Sequence, residues 1–133
     1  MLGIFNKTTI PALEQTLTFA QRRHELLAGN IANLDVPDYR TQDLNVGDFQ
    51  NALAESIDTA QRSAANAVSP TTRDDIYSGP RNATENIVLH DGSDVSLESQ
   101  AKELAKNQHL HGLAITTMRS QFALLRAAIT ERA

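Results

Sequence analysis

The chain has no cysteine and no tryptophan among its 133 residues, and aromatic residues make up only 5% of it. Without cysteine, disulfides and thiolate metal sites are excluded. With so few aromatics, the core must be built mostly from Leu, Ile, Ala and Val, which suits thin helical packing better than a thick globule. A chain this short forms one small domain and cannot bury the large core of a typical α/β enzyme. The 12 basic residues are scattered and the net charge is −4. The clustered positive footprint of a nucleic-acid binder is therefore missing. The pair Arg22-Arg23 reads as the solvated flank of a helix. No window approaches 18 consecutive apolar residues, so no direct membrane span is expected. The start, Met1-Leu2-Gly3-Ile4-Phe5-Asn6-Lys7, lacks a basic region followed by an apolar core, so no cleaved Sec signal is expected. On these features alone the chain stays in the cytoplasm unless another export route reads its start.

Chemistry-bearing constellations are also scarce. There is no Gly-rich phosphate loop and no serine in a nucleophile-elbow context. Asp74-Asp75 lacks the apolar surroundings that would perturb a carboxyl group. His109 and His111 are two apart and do not share a helix face, and His24 and His90 are remote in sequence, so no zinc site is expected. Asp91-Gly92-Ser93-Asp94 with Glu98 lacks the twelve-residue ligand pattern of a calcium loop, and a turn followed by a helix cap explains it. These readings give no catalytic residue, no cofactor site and no metal ligand, and hence no enzyme.

What the chain does contain is the same pattern at both ends. Residues recur every three and four positions at Ile10, Leu13, Leu17, Ala20, His24, Leu27, Ile31 and Leu34. They recur again at Leu97, Ala101, Leu104, Gln108, His111, Ile115, Met118, Phe122, Leu125 and Ile129. Such spacing keeps one helical stripe facing one partner. It predicts a mainly α fold in which two long terminal helices pair as an antiparallel coiled coil. The N-terminal helix is expected over 8–34, capped by Thr8 or Thr9 with Pro11 in its first turn, after a flexible start over 1–7. The C-terminal helix is expected over 94–131, capped by Asp94 or Ser96 with Glu98 in its first turn. Gly112, inside that helix, permits close approach of another helix or marks a bend.

The middle segment, 35–93, reads as loop-rich and partly extended. The stretch from Arg40 to Val46 suits extended backbone. From Asp48 to about Ala67 a thin helical face is formed by Phe49, Leu53, Ile57 and Ala60. Residues 68–86 are rich in Pro, Ser, Thr, Asn and charge, and read as a flexible linker or as a segment that orders only against a partner. Asn86-Ile87-Val88-Leu89-His90 is β-prone.

The end of the first helix is more specific. In Asn30-Ile31-Ala32-Asn33-Leu34-Asp35-Val36-Pro37-Asp38-Tyr39, Pro37 pushes Val36 toward extended backbone. Asn30 and Asn33 lie one turn apart and can bond to loop backbone, and Tyr39 can fold back on the helix. This segment resembles the signature of the flagellar axial proteins, the rod and hook family, whose first helix ends in Ala-Asn-x-x-Thr-Pro-Gly-Tyr. Ala32, Asn33, Pro37 and Tyr39 match. Val36 stands for the usual Thr and Asp38 for the usual Gly, so a backbone turn with positive φ is left to a costlier residue. Arg23-His24-Glu25-Leu26-Leu27-Ala28-Gly29-Asn30, Asp91-Gly92-Ser93-Asp94-Val95-Ser96-Leu97-Glu98 and Phe122-Ala123-Leu124-Leu125-Arg126-Ala127-Ala128-Ile129 also look like corresponding parts of a proximal rod subunit. A sister proximal subunit is the alternative within the family.

The resemblance implies a structural subunit of the proximal rod of the bacterial flagellar basal body. It implies export without a cleaved signal through the flagellar type III apparatus, and assembly into a periplasm-crossing rod that transmits torque. The partners it implies are other copies of the chain, other rod subunits and the export-gate/rod adaptor protein. Seam residues Leu13, Leu17, Leu27, Ile31, Leu104, Ile115, Met118, Phe122, Leu125 and Ile129 are expected to carry the packing. Phe19, Leu26, Leu110, Leu113 and Leu124, off the seams, are expected to meet neighbouring subunits. The rival reading outside the family is a cytoplasmic helical adaptor or chaperone.

Overall fold

Residues 9–66, 72–90 and 96–131 are described by the computed structural model. They form α1 (Ile10–Ala32), β1 (Gln42–Leu44), α2 (Val46–Asn66), α3 (Arg73–Ile76), α4 (Ser78–Glu85), β2 (Ile87–Leu89) and α5 (Leu97–Thr130). The chain is mainly helical, with a long helix toward each end. The expected flexible start over 1–7 lies outside the described residues.

The helix ends follow from local chemistry. Pro11 sits in the first turn of α1, where its missing N–H is no loss. Thr9 takes the cap position there but makes no side-chain cap bond. At the other end Asn33 closes α1 twice, donating to the Gly29 carbonyl from its backbone N–H at 3.1 Å and from its side chain at 2.8 Å. Helix α2 starts on Asn45, whose side-chain oxygen accepts from the Asp48 N–H at 3.1 Å. Helix α5 starts on Ser96, whose hydroxyl oxygen accepts from the Ser99 N–H at 3.1 Å. Asp94, the other expected cap, lies outside the described residues.

The two strands form a ribbon. They pair antiparallel in the register Gln42↔Leu89, Asp43↔Val88 and Leu44↔Ile87, and the His90 N–H extends the ladder to the Thr41 carbonyl at 2.9 Å. Leu44 turns inward and joins Phe19 of α1 and Phe49 of α2 in the core, with Leu26, Val46, Leu53 and Ala83 packed around them. The two phenylalanine rings stack, with centroids 4.0 Å apart and planes 14° from parallel. Burying a ring of this size stabilises the fold by roughly 1.5–3 kcal/mol. This corrects the reading of Phe19 and Leu26 as residues held for neighbouring subunits. The middle segment folds back over that flank of α1, and they are its anchor.

The expected linker over 68–86 is also corrected where it is described. Residues 73–76 and 78–85 are helical. Tyr77 and Pro80 are buried, and Thr84 bonds back to the Pro80 carbonyl at 2.9 Å. Helix α4 lies against both α2 and α1. A segment with few large apolar residues is thus ordered by packing against two helices, with Tyr77 and Pro80 buried.

Candidate functional site

Helices α1 and α5 are tied by polar groups as well as apolar ones. Asn30 meets Gln100, Arg23 meets Glu103, and the Ala20 carbonyl meets Asn107. Later residues of α5 therefore meet earlier residues of α1. The buried residues of α5 are Gln100, Asn107 and Ala114, seven apart. The centre of its packed stripe is displaced by one residue from the expected positions Ala101, Gln108 and Ile115. The displacement has a physical cause: the Asn30 side chain and the Ala20 carbonyl are hydrogen-bonding groups on the facing helix, and they draw polar side chains inward. Leu104, Leu110, Ile115, Met118 and Leu125 are half-buried beside that stripe, whereas Leu97, Leu113, Phe122, Leu124 and Ile129 are exposed. On α1, Leu27 is buried, Leu13, Leu17 and Ile31 are half-buried, and His24 is exposed.

Asn30 is the most enclosed polar group of the motif, at 0% exposure. Its Nδ2 donates to the Gln42 carbonyl at 2.7 Å and to Gln100 Oε1 at 3.0 Å. Its Oδ1 accepts from the Gln42 N–H at 2.9 Å and from the Tyr39 hydroxyl at 3.3 Å. The side chain thus engages both backbone groups of Gln42 as a neighbouring strand would, and joins α1, β1 and α5 at one point. Asn33 caps the helix, and Val36 and Tyr39 donate to successive carbonyls of Asn33 and Val36 at 3.0 and 3.2 Å. Ile31 is half-buried, and Ala32 and Pro37 are exposed. Asp38 has φ 62°, the one positive value among the described non-glycine residues. The turn therefore keeps the left-handed geometry that a glycine would take without strain.

Two turns before Asn30 lies a residue that the sequence reading placed in solvent. Arg22 is exposed and pairs with Glu25 at 3.3 Å, but Arg23 is buried. The Arg23 guanidinium makes a bidentate pair with Asp43, both bonds 2.8 Å, and a further bond of 3.0 Å to Glu103. Its pKa is raised above the usual arginine value, chiefly by the bond to Asp43, with burial opposing. Glu103 is held below the usual carboxylate range by the bonds from Lys106 and Arg23. A lone arginine in a helix carries no mark of burial. The only sequence signal was its i+7 spacing to Asn30, which puts both on one face.

Beside Asn107 the two helices leave a cleft of about 420 Å³, lined by Ala20, His24, Asn107, His111 and Gly112 among others. His24 and His111 thus face one space, while His109 is exposed. A Cβ added to Gly112 would meet nothing within 4 Å, so no close approach within the chain requires this glycine. Among the described residues no group of three His, Cys, Asp or Glu could hold a metal ion, and no helix is long and apolar enough to cross a membrane.

The arrangement is one of helix faces, a ribbon and a hydrogen-bonded turn. The chain is 26% identical over 125 residues to the flagellar basal body rod protein FlgB of Bacillus subtilis (strain 168), covering 92% of this chain and 93% of that protein. The chain is thus similar to FlgB. The FlgB proteins of Escherichia coli (strain K12) and Shigella flexneri are each 24% identical to it over 119 residues, covering 81% of this chain and 83% of theirs. No family model and no solved structure matches it. The similarity to FlgB runs nearly end to end, so it takes in α1, the ribbon and α5 together.

Proposed function

We propose that this chain is a structural subunit of the rod of the bacterial flagellar basal body, exported without a cleaved signal through the flagellar type III apparatus. The observation that carries the reading is the near end-to-end similarity to FlgB proteins. The terminal helices pair as an antiparallel coiled coil, and this hairpin packs side by side with other copies, with other rod subunits and with the export-gate/rod adaptor. Torque passes through many interlocked helices, and no catalytic group is needed. In this reading Asn30, Ile31, Ala32, Asn33, Pro37 and Tyr39 fix where α1 stops and the ribbon begins. Leu13, Leu17, Leu27, Ile31, Leu104, Ile115, Met118 and Leu125 hold the hairpin, while Phe122 and Ile129 serve contacts between subunits. The exposure of Phe122 and Ile129, one above the other on the same helical stripe, supports that division, because large apolar side chains left in solvent suit a contact with another subunit.

The decisive experiment is mass spectrometry of basal bodies purified from the source cells after filament and hook are sheared away. The chain is expected there, and its deletion is expected to remove the rod. A chain absent from basal bodies and folded in the cytoplasm would overturn this reading in favour of a helical adaptor.

A further inference from the structure

The cleft between α1 and α5 is lined by a hydrogen-bonding group that the chain leaves unmatched. Asn107 is 2% exposed. Its Nδ2 donates to the Ala20 carbonyl at 2.7 Å, and that bond fixes which end of the amide is nitrogen. The Oδ1 is therefore an acceptor, and it receives no donor from the described residues. Asn30, on the facing helix, has donors for its oxygen and acceptors for its nitrogen. Asn107 has only the second.

The room beside Asn107 suits an incoming group. Ala20 and Gly112 are small and line the cleft, and a Cβ added at Gly112 would meet nothing within 4 Å. His24 of α1 and His111 of α5 bring an imidazole from each helix. Among the described residues that line the cleft Glu25 is the acid, and none is Lys or Arg. Glu25 already pairs with Arg22 at 3.3 Å, but both side chains are about half exposed. Such a surface pair is worth only about 0–1 kcal/mol and is readily shared.

These features define the occupant. It must donate a hydrogen bond to a buried oxygen, carry positive charge toward Glu25, pass an apolar stem between Ala20 and Gly112, and offer a plane to imidazole rings. An arginine side chain does all four, through its guanidinium fork and its three methylenes. A lysine lacks the planar face, and a neutral amide lacks the charge. Arginine is also among the residues that most often anchor protein contacts from enclosed pockets.

We propose that the cleft receives an arginine side chain from a neighbouring subunit. The guanidinium donates to Asn107 Oδ1, stacks on the His24 and His111 rings and shares Glu25 with Arg22. The cleft lies part-way along the helix pair, so the contact sets the height at which a neighbour lies against its side. The proposal rests on the rod reading for the neighbour, while the chemistry of the cleft is tested without it.

The first probe is propylguanidinium, titrated into the purified, isotope-labelled chain. It is expected to give saturable NMR shifts of the Asn107 side-chain amide and the Gly112 backbone amide. Butylammonium is expected to bind more weakly, and neutral propylurea to leave Asn107 unmoved. Glu25→Gln is expected to weaken propylguanidinium binding by about two- to fivefold at low salt. Gly112→Leu is expected to abolish the Asn107 shift in a chain that unfolds at no lower temperature than the parent. No shift at Asn107, an equal shift with propylurea, or a shift that survives Gly112→Leu would overturn the site. The source of the arginine is read in cells with the photo-cross-linker p-benzoylphenylalanine placed at Gln108, which also lines the cleft. The expected product joins two chains, and its mapped peptide carries an arginine within about one helical turn of the linked residue. Basal bodies that contain the chain but give no such product, a peptide without arginine, or a link inside a single chain would remove the arginine contact and keep the rod reading. A chain that binds propylguanidinium, gives the arginine cross-link and is absent from basal bodies would keep the contact and remove the rod reading.

Discussion

The first half of α5 and its last fifteen residues have the same amphipathic spacing and opposite fates. Around Gln100, Glu103 and Asn107 the helix is held by α1 through hydrogen bonds and an ion pair, and buried polar groups lie at the centre of the contact. From Phe122 to Ile129 large apolar side chains stand in solvent, and Leu124 is 63% exposed. Ordinary folds bury the apolar and expose the polar. In this helix two of the three buried side chains, Gln100 and Asn107, are polar, while the last turns carry exposed apolar ones. The difference teaches that the polar end specifies the fold of one chain, because each buried group there accepts only a partner of the right type and position. The apolar end is unspecific within the chain and is available for a partner.

Two phenylalanines test that contrast most strongly. Phe19→Ala is expected to destabilise the isolated chain by about 3–5 kcal/mol, since it empties the stack with Phe49. Phe122→Ala is expected to change stability by no more than about 0.5 kcal/mol while abolishing assembly. Urea unfolding of both variants reads the difference directly. Equal losses would show that the end of α5 is packed like the core.

Two arginines give the next contrast. Arg23→Ala strands Asp43 and Glu103 and is expected to cost about 3 kcal/mol, at the low end for a buried pair because Glu103 keeps about 30% of its side-chain surface. Arg126→Ala is expected to leave the unfolding midpoint in place. The Glu103 arm also predicts a pH dependence. Its folded pKa is depressed below the ordinary 4.5, so its contribution is full above that pH and is lost as pH falls through the lower folded value. Unfolding midpoints followed from pH 6 downward should decline less in Glu103→Gln than in the parent. An identical decline would remove Glu103 from the network's pH response.

Smaller effects sharpen the comparison at single backbone positions. Asp38→Gly is expected to stabilise the chain by about 0.5–1 kcal/mol, because φ 62° then carries no Cβ strain. Gly112→Ala is expected to add about 1 kcal/mol, since the added methyl meets open space and helix propensity improves. A Gly112→Ala chain that gains stability yet assembles poorly would show that a neighbouring subunit uses the space which α1 leaves empty. Thermal unfolding together with sedimentation of the same samples separates the two effects.

A long helix toward each end, a stop for the first near Asn33 or Asp35 and the β-prone residues at 87–89 were legible in the sequence, and Ser96 was one of the two caps it offered for the last helix. Periodicity, capping chemistry and proline geometry act over a few residues and leave local marks. The backbone at Asp38 was left open, because Asp stands where the resembled motif has glycine, and the fold gives it φ 62°. Which face of α5 turns inward was not legible. Gln100 and Asn107 gain their burial from Asn30 and the Ala20 carbonyl, some 70 and 87 residues away, and no local pattern favours a buried amide over a neighbouring leucine. Arg23 was misplaced for the same reason, since its partners Asp43 and Glu103 lie on two other elements. The order of 73–85 escaped because the helix over 78–85 packs against α1 and α2, which are remote from it in sequence. The sequence by itself determined that a long helix stands toward each end and that 87–89 is extended, because those choices are settled by periodicity and nearest neighbours. The tertiary structure alone decided which polar groups are buried, because a desolvated donor or acceptor is stable only where a partner from another element reaches it.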